Sequence, residues 1–351
     1  MTKSKSPRAR SYSLETAKRS KSKAGPLSHR SRIDQEQGYV IGVDIGGSNL
    51  RIALADVEGS VLGKWSASTR KTSSPKTVVA QIGTGVRQLL RQTSVPRSSL
   101  LAVAAGAPGV TDRDQGIVFA TSYLNGWKDV PLARLLESTL HIPAAIENDV
   151  RLAAMGENWI GAARSIPNFV FLAIGTGIAA GIFVNGQLVH GPDWVAGEVG
   201  YMIVPGTAET PAKRGMPGSL ESVIGGEGIK QQWRRACEKK QARAQDLTAT
   251  GVFYDALTGD RRAKRVLEHS ARILAYAVYN ISTVLNSSLF VLGGGVGMSG
   301  TLLEATKRIL AEYTQPAQPK LIRSSLGQDA QLVGAVRLAI ETAESRFALS
   351  T

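Results

Sequence analysis

A polar glycine turn follows an apolar, β-branched run that begins at Tyr39. The turn reads GGSN over residues 46–49, and Asp44 stands just before it at the end of the predicted strand. A carboxylate at a strand end, beside glycines with exposed backbone N–H groups, suits a phosphate that is bound together with a metal ion. In that interpretation the N–H groups cradle phosphate oxygens, and Asp44 holds Mg²⁺ directly or through water. The alternative is an ordinary hairpin turn that requires glycine.

A second turn of the same kind, Gly175-Thr176-Gly177, follows the apolar run of residues 168–174. The Thr176 hydroxyl and the neighbouring backbone amides offer a second phosphate cradle. Turns of this sequence are common, so the signal is weak by itself. It gains weight as the partner of the first turn, because two facing hairpins can grip one polyphosphate between them.

A third apolar run, residues 289–292, ends in the glycine-rich segment GGGVG of residues 293–297. Residues 295–300 formally fit the dinucleotide-binding pattern G-x-G-x-x-G, but no acidic residue ends a strand about 20 residues later, so the fit is poor. We interpret the glycines as a close approach of the backbone to an adenosine, and a plain packing turn is the alternative. A Walker A loop is absent, since residues 59–64 have the wrong spacing and Trp65 stands where Ser or Thr belongs.

An acidic segment, Glu147-Asn148-Asp149, lies at a predicted junction between a strand and a helix. An aspartate held there can take a proton from a hydroxyl group, while Asn148 orients the substrate. The alternative is a helix N-cap, for which Asn and Asp are both favoured. For this segment taken alone, the capping interpretation is the stronger one.

The elements that would position these motifs recur in two halves of the chain. Each half opens with a strand, a polar glycine turn, a second strand, a tight turn and a third strand. The predicted strands of these two openings cover residues 39–45, 50–57, 60–69, 168–174, 179–184 and 187–190. Helical spacing at 76–94, a helix at 131–140, a long helix near 260–287 and a final helix from about residue 328 alternate with further strands at 101–105, 144–147 and 289–292. This alternation predicts an α/β protein with two lobes.

Composition excludes several other classes of protein. The 351 residues carry a net charge of +14, of which +9 lies in residues 1–33. That Ser-rich, acid-poor segment predicts a disordered, solvated tail or a start codon placed too early; an organellar transit peptide, or an arm for nucleic acid or anionic lipid, is the alternative. The single Cys237 excludes an internal disulfide framework. No apolar run reaches the roughly 18 residues of a membrane-spanning helix.

In this order, the segments resemble the sugar kinases of the ROK family (repressors, open reading frames and kinases), particularly its bacterial glucokinases. The resemblance covers residues 39–345, essentially the whole folded chain. It implies an α/β fold of the two-lobed actin-like ATPase or hexokinase type (ribonuclease H-like). The implied organisation is a disordered basic tail at 1–37, an N-terminal lobe of 38–147 plus 330–351, and a C-terminal lobe of 148–329.

The resemblance also implies roles for individual residues. Asp149 would be the catalytic base that deprotonates the attacking sugar hydroxyl, O6. The residues that would contact the sugar are Asn148, Glu198, Tyr201 and Glu221. The residues that would bind ATP, with Mg²⁺ held by Asp44, are Asp44, Gly46, Gly47, Ser48, Asn49, Arg51, Gly175, Thr176, Gly177, Gly293, Gly294 and Gly295.

Two departures from the family pattern bear on the metal and on the sugar. Many members carry a zinc cluster of cysteines after a Glu-x-Gly-His segment, whereas here Ala212, Arg214 and Ser219 occupy the cysteine positions and Tyr201 replaces the histidine. We therefore predict no structural zinc. Tyr123 likewise stands where the family has a sugar-contacting Asn. These changes affect the prediction of which sugar is bound more than the prediction of the reaction.

The leading hypothesis is a cytoplasmic, ATP-dependent glucokinase of glycolysis and carbohydrate metabolism. The alternatives are a kinase for another hexose or an N-acetylhexosamine, a polyphosphate-dependent kinase, and a non-catalytic sugar-sensing regulator. Family repressors carry a helix-turn-helix domain before the core, and the 38 residues before Tyr39 leave no room for one. We expect a homo-oligomer, as a dimer, with no membrane partner and no nucleic acid bound by the core.

Overall fold

The structure is a computed structural model that describes residues 38–69, 74–121, 124–213, 216–237, 247–313 and 318–349. Three features singled out in the sequence lie outside the described residues. These are the basic tail of residues 1–37, Tyr123 and Arg214.

Apolar, β-branched runs form the strands, and they are separated by helices with one apolar face. Within the described residues the strands are β1 (Tyr39–Ile45), β2 (Asn49–Asp56), β3 (Val61–Ser68), β4 (Leu100–Ala107), β5 (Val110–Asp112), β6 (Ile117–Ala120), β7 (Lys128–Val130), β8 (Ala144–Asn148), β9 (Phe169–Ile174), β10 (Ile178–Val184), β11 (Gln187–Leu188), β12 (Leu289–Gly293) and β13 (Lys320–Arg323). The helices are α1 (Pro75–Thr93), α2 (Leu132–Leu140), α3 (Asp149–Trp159), α4 (Glu221–Ile224), α5 (Gly226–Ala236), α6 (Ala249–Leu257), α7 (Arg261–Leu285), α8 (Gly294–Gly297), α9 (Gly300–Leu310) and α10 (Ala330–Leu349).

The first large sheet has the strand order β3-β2-β1-β4-β8. Strands β1, β2 and β3 are antiparallel neighbours, whereas β4 and β8 run parallel to β1. The register places Asp44 beside Gly106, and Gly106 beside Glu147. The carboxyl ends of three parallel strands therefore meet at one edge of this sheet.

The second large sheet has the order β11-β10-β9-β12-β13 and repeats the arrangement of the first. Strands β9, β10 and β11 are antiparallel, and β12 and β13 run parallel to β9. Asn185 and Gly186 both have positive φ, at 53° and 76°, as a two-residue hairpin turn between β10 and β11 requires. A small third sheet joins β5, β6 and β7.

Helices α3 and α10 fill the space between the two large sheets. Helix α10 lies so close to β1 that a Cβ atom on Gly42 would come within 2.8 Å of Val336. It lies equally close to α3, because a Cβ atom on Gly334 would meet the Leu152 carbonyl oxygen at 1.8 Å. One hydrophobic cluster joins both sheets through this layer. Helices α1 and α2 cover the other face of the first sheet, and α5, α6, α7 and α9 cover that of the second.

The structure confirms the predicted α/β class and both opening sets of three strands. The predicted long helix is α7, and the final helix begins at Ala330, two residues from the predicted start. The small sheet was not predicted, because its strands of three or four residues are too short to show a period. Among the described residues, no helix is both long and apolar enough to cross a membrane.

Candidate active site

Asp149 is the first residue of α3 and directly follows β8. It therefore lies at the edge of the first sheet where the carboxyl ends of β1, β4 and β8 meet. Gly106 sits between Asp44 and Glu147 in the sheet, and a Cβ atom on it would lie 3.7 Å from the Asp149 Cα. The absence of a side chain at Gly106 lets α3 pack closely against the sheet, because a Cβ atom there would also lie 2.7 Å from the Leu152 side chain.

Asn148 is the N-cap of α3. Its Oδ1 accepts hydrogen bonds from the backbone N–H groups of Val150 and Arg151, at 3.0 and 3.1 Å. Its Nδ2 donates to the Gly109 carbonyl oxygen at 3.0 Å. The capping interpretation is thus confirmed for Asn148, and one hydrogen of its amide group remains for a ligand. Asp149 also takes part in this first turn, since its Oδ1 accepts the Val150 N–H at 2.9 Å.

Arg51 makes an ion pair with Asp44 at the base of the β1–β2 hairpin, where the two residues are direct cross-strand neighbours. Its Nε and Nη2 both donate to Asp44 Oδ2, at 2.9 and 2.6 Å. Arg51 also contacts Gln331 at 3.1 Å and Asp329 at 3.6 Å, and Lys64 pairs with the same Asp329. The role in ATP binding that the resemblance implies for Arg51 stays a prediction; in the structure Arg51 directly orients Asp44.

The turn between β1 and β2 is open to solvent. The Gly46 N–H donates to the Asn49 carbonyl oxygen at 2.9 Å, which closes the turn. Gly47 is partly exposed, and Ser48 and Asn49 are exposed. The hydroxyl of Ser48 and the amides of the turn are therefore accessible to a ligand.

The pKa of Asp149 is raised to about 7. Burial is the main cause, followed by the negative charge of Asp44, while a hydrogen bond from the Val150 N–H lowers the pKa and the charge of Glu198 raises it. Burial also raises the pKa of Asp44, against the opposing effect of Arg51. A carboxyl group with a pKa near neutral is suited to accept a proton at physiological pH.

Glu198 and Glu221 bring two further carboxylates to the same region. Burial raises the pKa of both, and Glu221 raises that of Glu198 further. Glu221 Oε2 accepts a hydrogen bond from the Ile178 N–H at 3.3 Å, which ties it to the start of β10. The charge of Glu198 raises the pKa of Asp149, and the charge of Glu221 raises the pKa of Glu198, so the three carboxyl groups interact electrostatically in sequence.

Tyr201 follows Glu198 in a single helical turn, Val199–Tyr201. Its side chain is 53% exposed. Its hydroxyl group has no hydrogen-bond partner among the described residues. Tyr201 is therefore accessible to a ligand.

A cavity of about 440 Å³ lies at the carboxyl end of the second sheet. Its walls include the predicted Gly175, Thr176 and Gly295, and the other lining residues are Gly226, Glu227, Lys230, Thr248, Ala249, Thr250 and Val296. Helix α5 begins against the turn, where the Gly226 N–H donates to the Gly175 carbonyl oxygen at 2.8 Å. The turn itself is closed by a hydrogen bond of 2.9 Å from the Gly175 N–H to the Gly177 carbonyl oxygen.

The three glycines that follow β12 differ in their surroundings. A Cβ atom on Gly293 would lie 2.3 Å from the Phe171 ring, and one on Gly294, whose φ is +76°, would lie 2.5 Å from the Ile174 carbonyl oxygen. A Cβ atom on Gly295 would meet nothing within 4 Å. Gly293 and Gly294 thus satisfy packing requirements, while Gly295 faces the cavity.

The chemistry of Asp44 fits Mg²⁺. Its Oδ1 receives no hydrogen bond from the described residues, and carboxylate oxygens are preferred ligands of this ion. Within the described part of the chain no group of three metal-binding side chains occurs, so water and phosphate would supply the other ligands, as is usual for Mg²⁺. Ser219, at a former zinc position, is buried and donates to the Thr210 carbonyl oxygen at 3.4 Å. The absence of zinc stays a prediction that metal analysis of the purified protein tests.

Sequence reasoning missed Arg151, which lies four residues after Glu147. It is 3% exposed and pairs with the fully buried Glu147 at 3.3 Å. Its Nη2 reaches the carbonyl oxygens of Trp194 and Ala196. The spacing of an acid and a base four residues apart was visible in the sequence, but the partners some 43 residues away were not.

Known proteins match this chain over nearly all of the residues that form the fold. Residues 40–342 match the ROK family. A glucokinase from Halalkalibacterium halodurans is 32% identical over 308 residues, which cover 84% of this chain and 93% of that protein. A xylose repressor from Caldicellulosiruptor bescii is 22% identical, with coverage of 91% and 82%.

A solved structure gives the same result for the fold. The ROK family glucokinase from Streptomyces griseus, in complex with glucose and AMPPNP, aligns with a TM-score of 0.73 and 25% identity. The alignment covers 87% of this chain and all of that one. The family match and the shared actin-like α/β architecture together show that this chain belongs to the ROK family.

Proposed function

We propose that this protein is an ATP-dependent sugar kinase, and that its acceptor is a hexose, glucose in the first place. The observation that carries the proposal is the position of Asp149 at the sheet edge, with its pKa raised to about 7 by burial and by the nearby Asp44. Such a group can remove a proton from an alcohol at neutral pH. The carboxylate of Glu198, which is coupled electrostatically to Asp149 and to Glu221, suits a polyhydroxylated substrate.

The proposed reaction is an in-line transfer of the γ-phosphoryl group. Asp149 accepts the proton of the attacking sugar hydroxyl as its oxygen forms a bond to the γ-phosphorus. The bond between that phosphorus and the bridging oxygen breaks at the same time, and ADP leaves with the electron pair. Since the protein does little covalent chemistry in such reactions, positioning and electrostatic stabilisation supply most of the rate enhancement.

The two glycine turns would hold the phosphates of ATP. In this proposal the exposed amides and hydroxyl of residues 46–49 face the transferred group, and Gly175 and Thr176 line the cavity that takes the nucleotide. Asp44 would hold Mg²⁺, which supplies positive charge to the phosphate oxygens when it is bound. Gly295 would allow the backbone to approach the adenosine, because no side chain fills that side of the cavity.

Glu198 and Glu221 would accept hydrogen bonds from sugar hydroxyl groups, and the free hydrogen of the Asn148 amide would donate one. Glucose is favoured as the acceptor because the protein from H. halodurans is named a glucokinase and the S. griseus structure holds glucose. The exposed Tyr201 would add a ring or hydroxyl contact at the edge of the sugar site.

We also propose a two-lobed organisation, with residues 38–147 and 330–351 in one lobe and 148–329 in the other. The two five-stranded sheets support it, since each carries one of the glycine turns. Closure of the lobes on the sugar would exclude water and limit the hydrolysis of ATP.

A sugar-sensing regulator is the second candidate, because a xylose repressor is among the relatives. A coupled assay separates the two. ADP production would be measured with glucose, mannose, fructose and N-acetylhexosamines, with ATP or polyphosphate as donor and with sugar-free reactions as controls. The proposal predicts ATP-dependent phosphorylation with the highest kcat/KM for glucose. Sugar binding without phosphorylation of any acceptor would favour the regulator.

A further inference from the structure

The junction between β8 and α3 contains a buried ion pair that the proposed reaction does not use. Arg151 Nη1 lies 3.3 Å from Glu147 Oε1, with Arg151 3% exposed and Glu147 fully buried. Glu147 Oε1 also accepts the Asn148 N–H at 2.8 Å, and His190 Nε2 lies 2.7 Å from Glu147 Oε2. The carboxylate thus has partners on both oxygens, as a buried charge requires.

The Nη2 nitrogen of Arg151 contacts a neighbouring loop rather than Glu147. Arg151 Nη2 donates to the Trp194 carbonyl oxygen at 2.6 Å and to the Ala196 carbonyl oxygen at 3.1 Å. The loop runs from Gly191 to Glu198, and its start is tied to Glu147 through His190. The loop that ends in Glu198 is therefore fixed at two points to the segment that carries Asp149.

The backbone of this loop is strained at Trp194, whose φ is +60°. A bulky aromatic residue adopts the left-handed region only where the surrounding structure holds it there. The short hydrogen bond from Arg151 to the Trp194 carbonyl oxygen supplies such a constraint. The Trp194 ring also meets the His190 ring edge to face, with 5.3 Å between ring centroids.

We infer that Arg151 is a positioning residue, which holds the Gly191–Glu198 loop so that Glu198 stands beside Asp149. Through this contact one buried guanidinium group sets the geometry between the sugar-binding carboxylate and the base. The inference rests on the proposed function in one respect, the assignment of Glu198 to the sugar.

The charge of Arg151 has a second effect on the loop. Burial and Glu221 raise the pKa of Glu198, whereas Arg151 lowers it, and Asp149 is the further carboxyl group coupled to Glu198. Arg151 thus favours the ionised form of Glu198, which is the form that accepts hydrogen bonds from sugar hydroxyl groups at both oxygens.

Two substitutions separate the geometric effect from the charge. Arg151→Gln removes the charge and the planar guanidinium fork, and Arg151→Lys keeps the charge but presents no planar fork. We expect Arg151→Gln to raise the sugar KM by ~10–100-fold, with kcat and the KM for ATP changed much less. Arg151→Lys should give an intermediate sugar KM. Arg97→Gln is the matched control, because Arg97 also donates to a carbonyl oxygen, that of Leu140, at the opposite end of the sheet.

The pH dependence of sugar binding gives a readout that a merely structural role would not move. It is measured as the sugar Kd in an Asp149→Asn background, which removes the titration of the base. There Arg151→Gln should shift the acidic limb of binding to higher pH, and Arg151→Lys should leave that limb in place. A sugar Kd and an acidic limb unchanged by Arg151→Gln would overturn the inference.

Removal of Arg151 alone leaves Glu147 buried without its cation, so the single variant is at risk of misfolding. The double variant Glu147→Gln with Arg151→Gln removes both charges and keeps hydrogen-bonding groups at both positions. Its amides at residues 194–198 should exchange faster than in the wild type, while those of β12 remain protected. Unchanged amide exchange at residues 194–198 would contradict the inference. A wild-type protein that phosphorylates no sugar would contradict the proposed function alone.

Discussion

Arg51 donates two hydrogen bonds to the same oxygen of Asp44, at 2.9 and 2.6 Å, and no described residue donates to the other oxygen. Arg51 lowers the pKa of this buried carboxyl group against the larger, opposing effect of burial, and it leaves Oδ1 without a donor among the described residues, so that a cation can bind there. It also connects the β1–β2 hairpin to the start of α10, because Arg51 contacts Gln331 at 3.1 Å.

Substitution Arg51→Gln should weaken the use of Mg–ATP. Without the guanidinium group, burial alone acts on Asp44, so its pKa rises and less of it is ionised at neutral pH. We expect the KM for Mg–ATP to increase by roughly tenfold for each unit by which the Asp44 pKa rises above the pH of the assay, and part of the loss to recover in mildly alkaline buffer. Lys64→Gln, which removes a cation that pairs with Asp329 and does not touch Asp44, is the control. Equal Mg–ATP kinetics in the Arg51 variant and the control would contradict this role.

The rate of phosphoryl transfer should follow the ionisation of Asp149. Because the base must be unprotonated and its pKa is raised to about 7, kcat/KM should fall as the pH decreases below that value. Above it the profile should level off. The measurement is a kcat/KM profile at saturating Mg²⁺. A rate that stays constant down to pH values near the ordinary pKa of Asp, about 4, would show that Asp149 is not the base.

The raised pKa of Asp149 should make the protein without bound ligands less stable as the pH rises. Asp149 has a higher pKa in the folded state than in the unfolded state, so the folded state binds its proton more tightly. The free energy of unfolding should therefore decrease from about pH 4 to about pH 7 at this site, and Asp149→Asn should remove that decrease.

The matching stability experiment is denaturant unfolding of both proteins at several pH values. At pH values above the Asp149 pKa we expect Asp149→Asn to be more stable than the wild type by ~1–3 kcal/mol, because a neutral amide replaces a partly buried charge near other carboxylates. A variant that is less stable than the wild type in alkaline buffer would argue against a raised pKa.

Gly295→Val tests the nucleotide cavity without disturbing the fold. No atom lies within 4 Å of a Cβ at this position and its φ is not positive, so the side chain would extend into the cavity. The KM for ATP should rise by ~10-fold or more through steric conflict, with the Kd for the sugar unchanged. Gly300→Ala, at the first residue of α9, is the control, since the nearest atom there is 3.9 Å away at the end of the Arg323 side chain. Unchanged ATP kinetics in Gly295→Val would place the nucleotide elsewhere.

The parts of the site that local sequence could predict are those that depend on one turn or one junction. The glycine turns at residues 46–49 and 175–177 follow β-branched runs, so both hairpins were evident. The Arg51–Asp44 pair could also have been predicted, since a tight turn fixes the register of neighbouring strands, but Arg51 was assigned to ATP binding through the family resemblance alone. Asn148 showed the signal of a cap and is one.

Other features depend on contacts between distant segments and gave no local signal. In the sequence Arg151 cannot be distinguished from an ordinary helix residue, because its partners, the Trp194 and Ala196 carbonyl oxygens, lie in a distant segment. Gly295 differs from Gly293 only because Phe171 packs against the latter. The raised pKa of Asp149 likewise requires burial and the nearby charge of Asp44, both of which follow from tertiary structure.

The most direct test of the account is the Asp149→Asn variant, examined for sugar binding and for phosphoryl transfer in parallel. Removal of a general base lowers the rate by typically ~10²–10⁴-fold, and the account predicts a loss of this size in kcat. Sugar binding, measured by calorimetry, should be retained, because Glu198 and Glu221 are unchanged. Phosphorylation at the wild-type rate in Asp149→Asn would contradict the central claim that Asp149 activates the sugar hydroxyl.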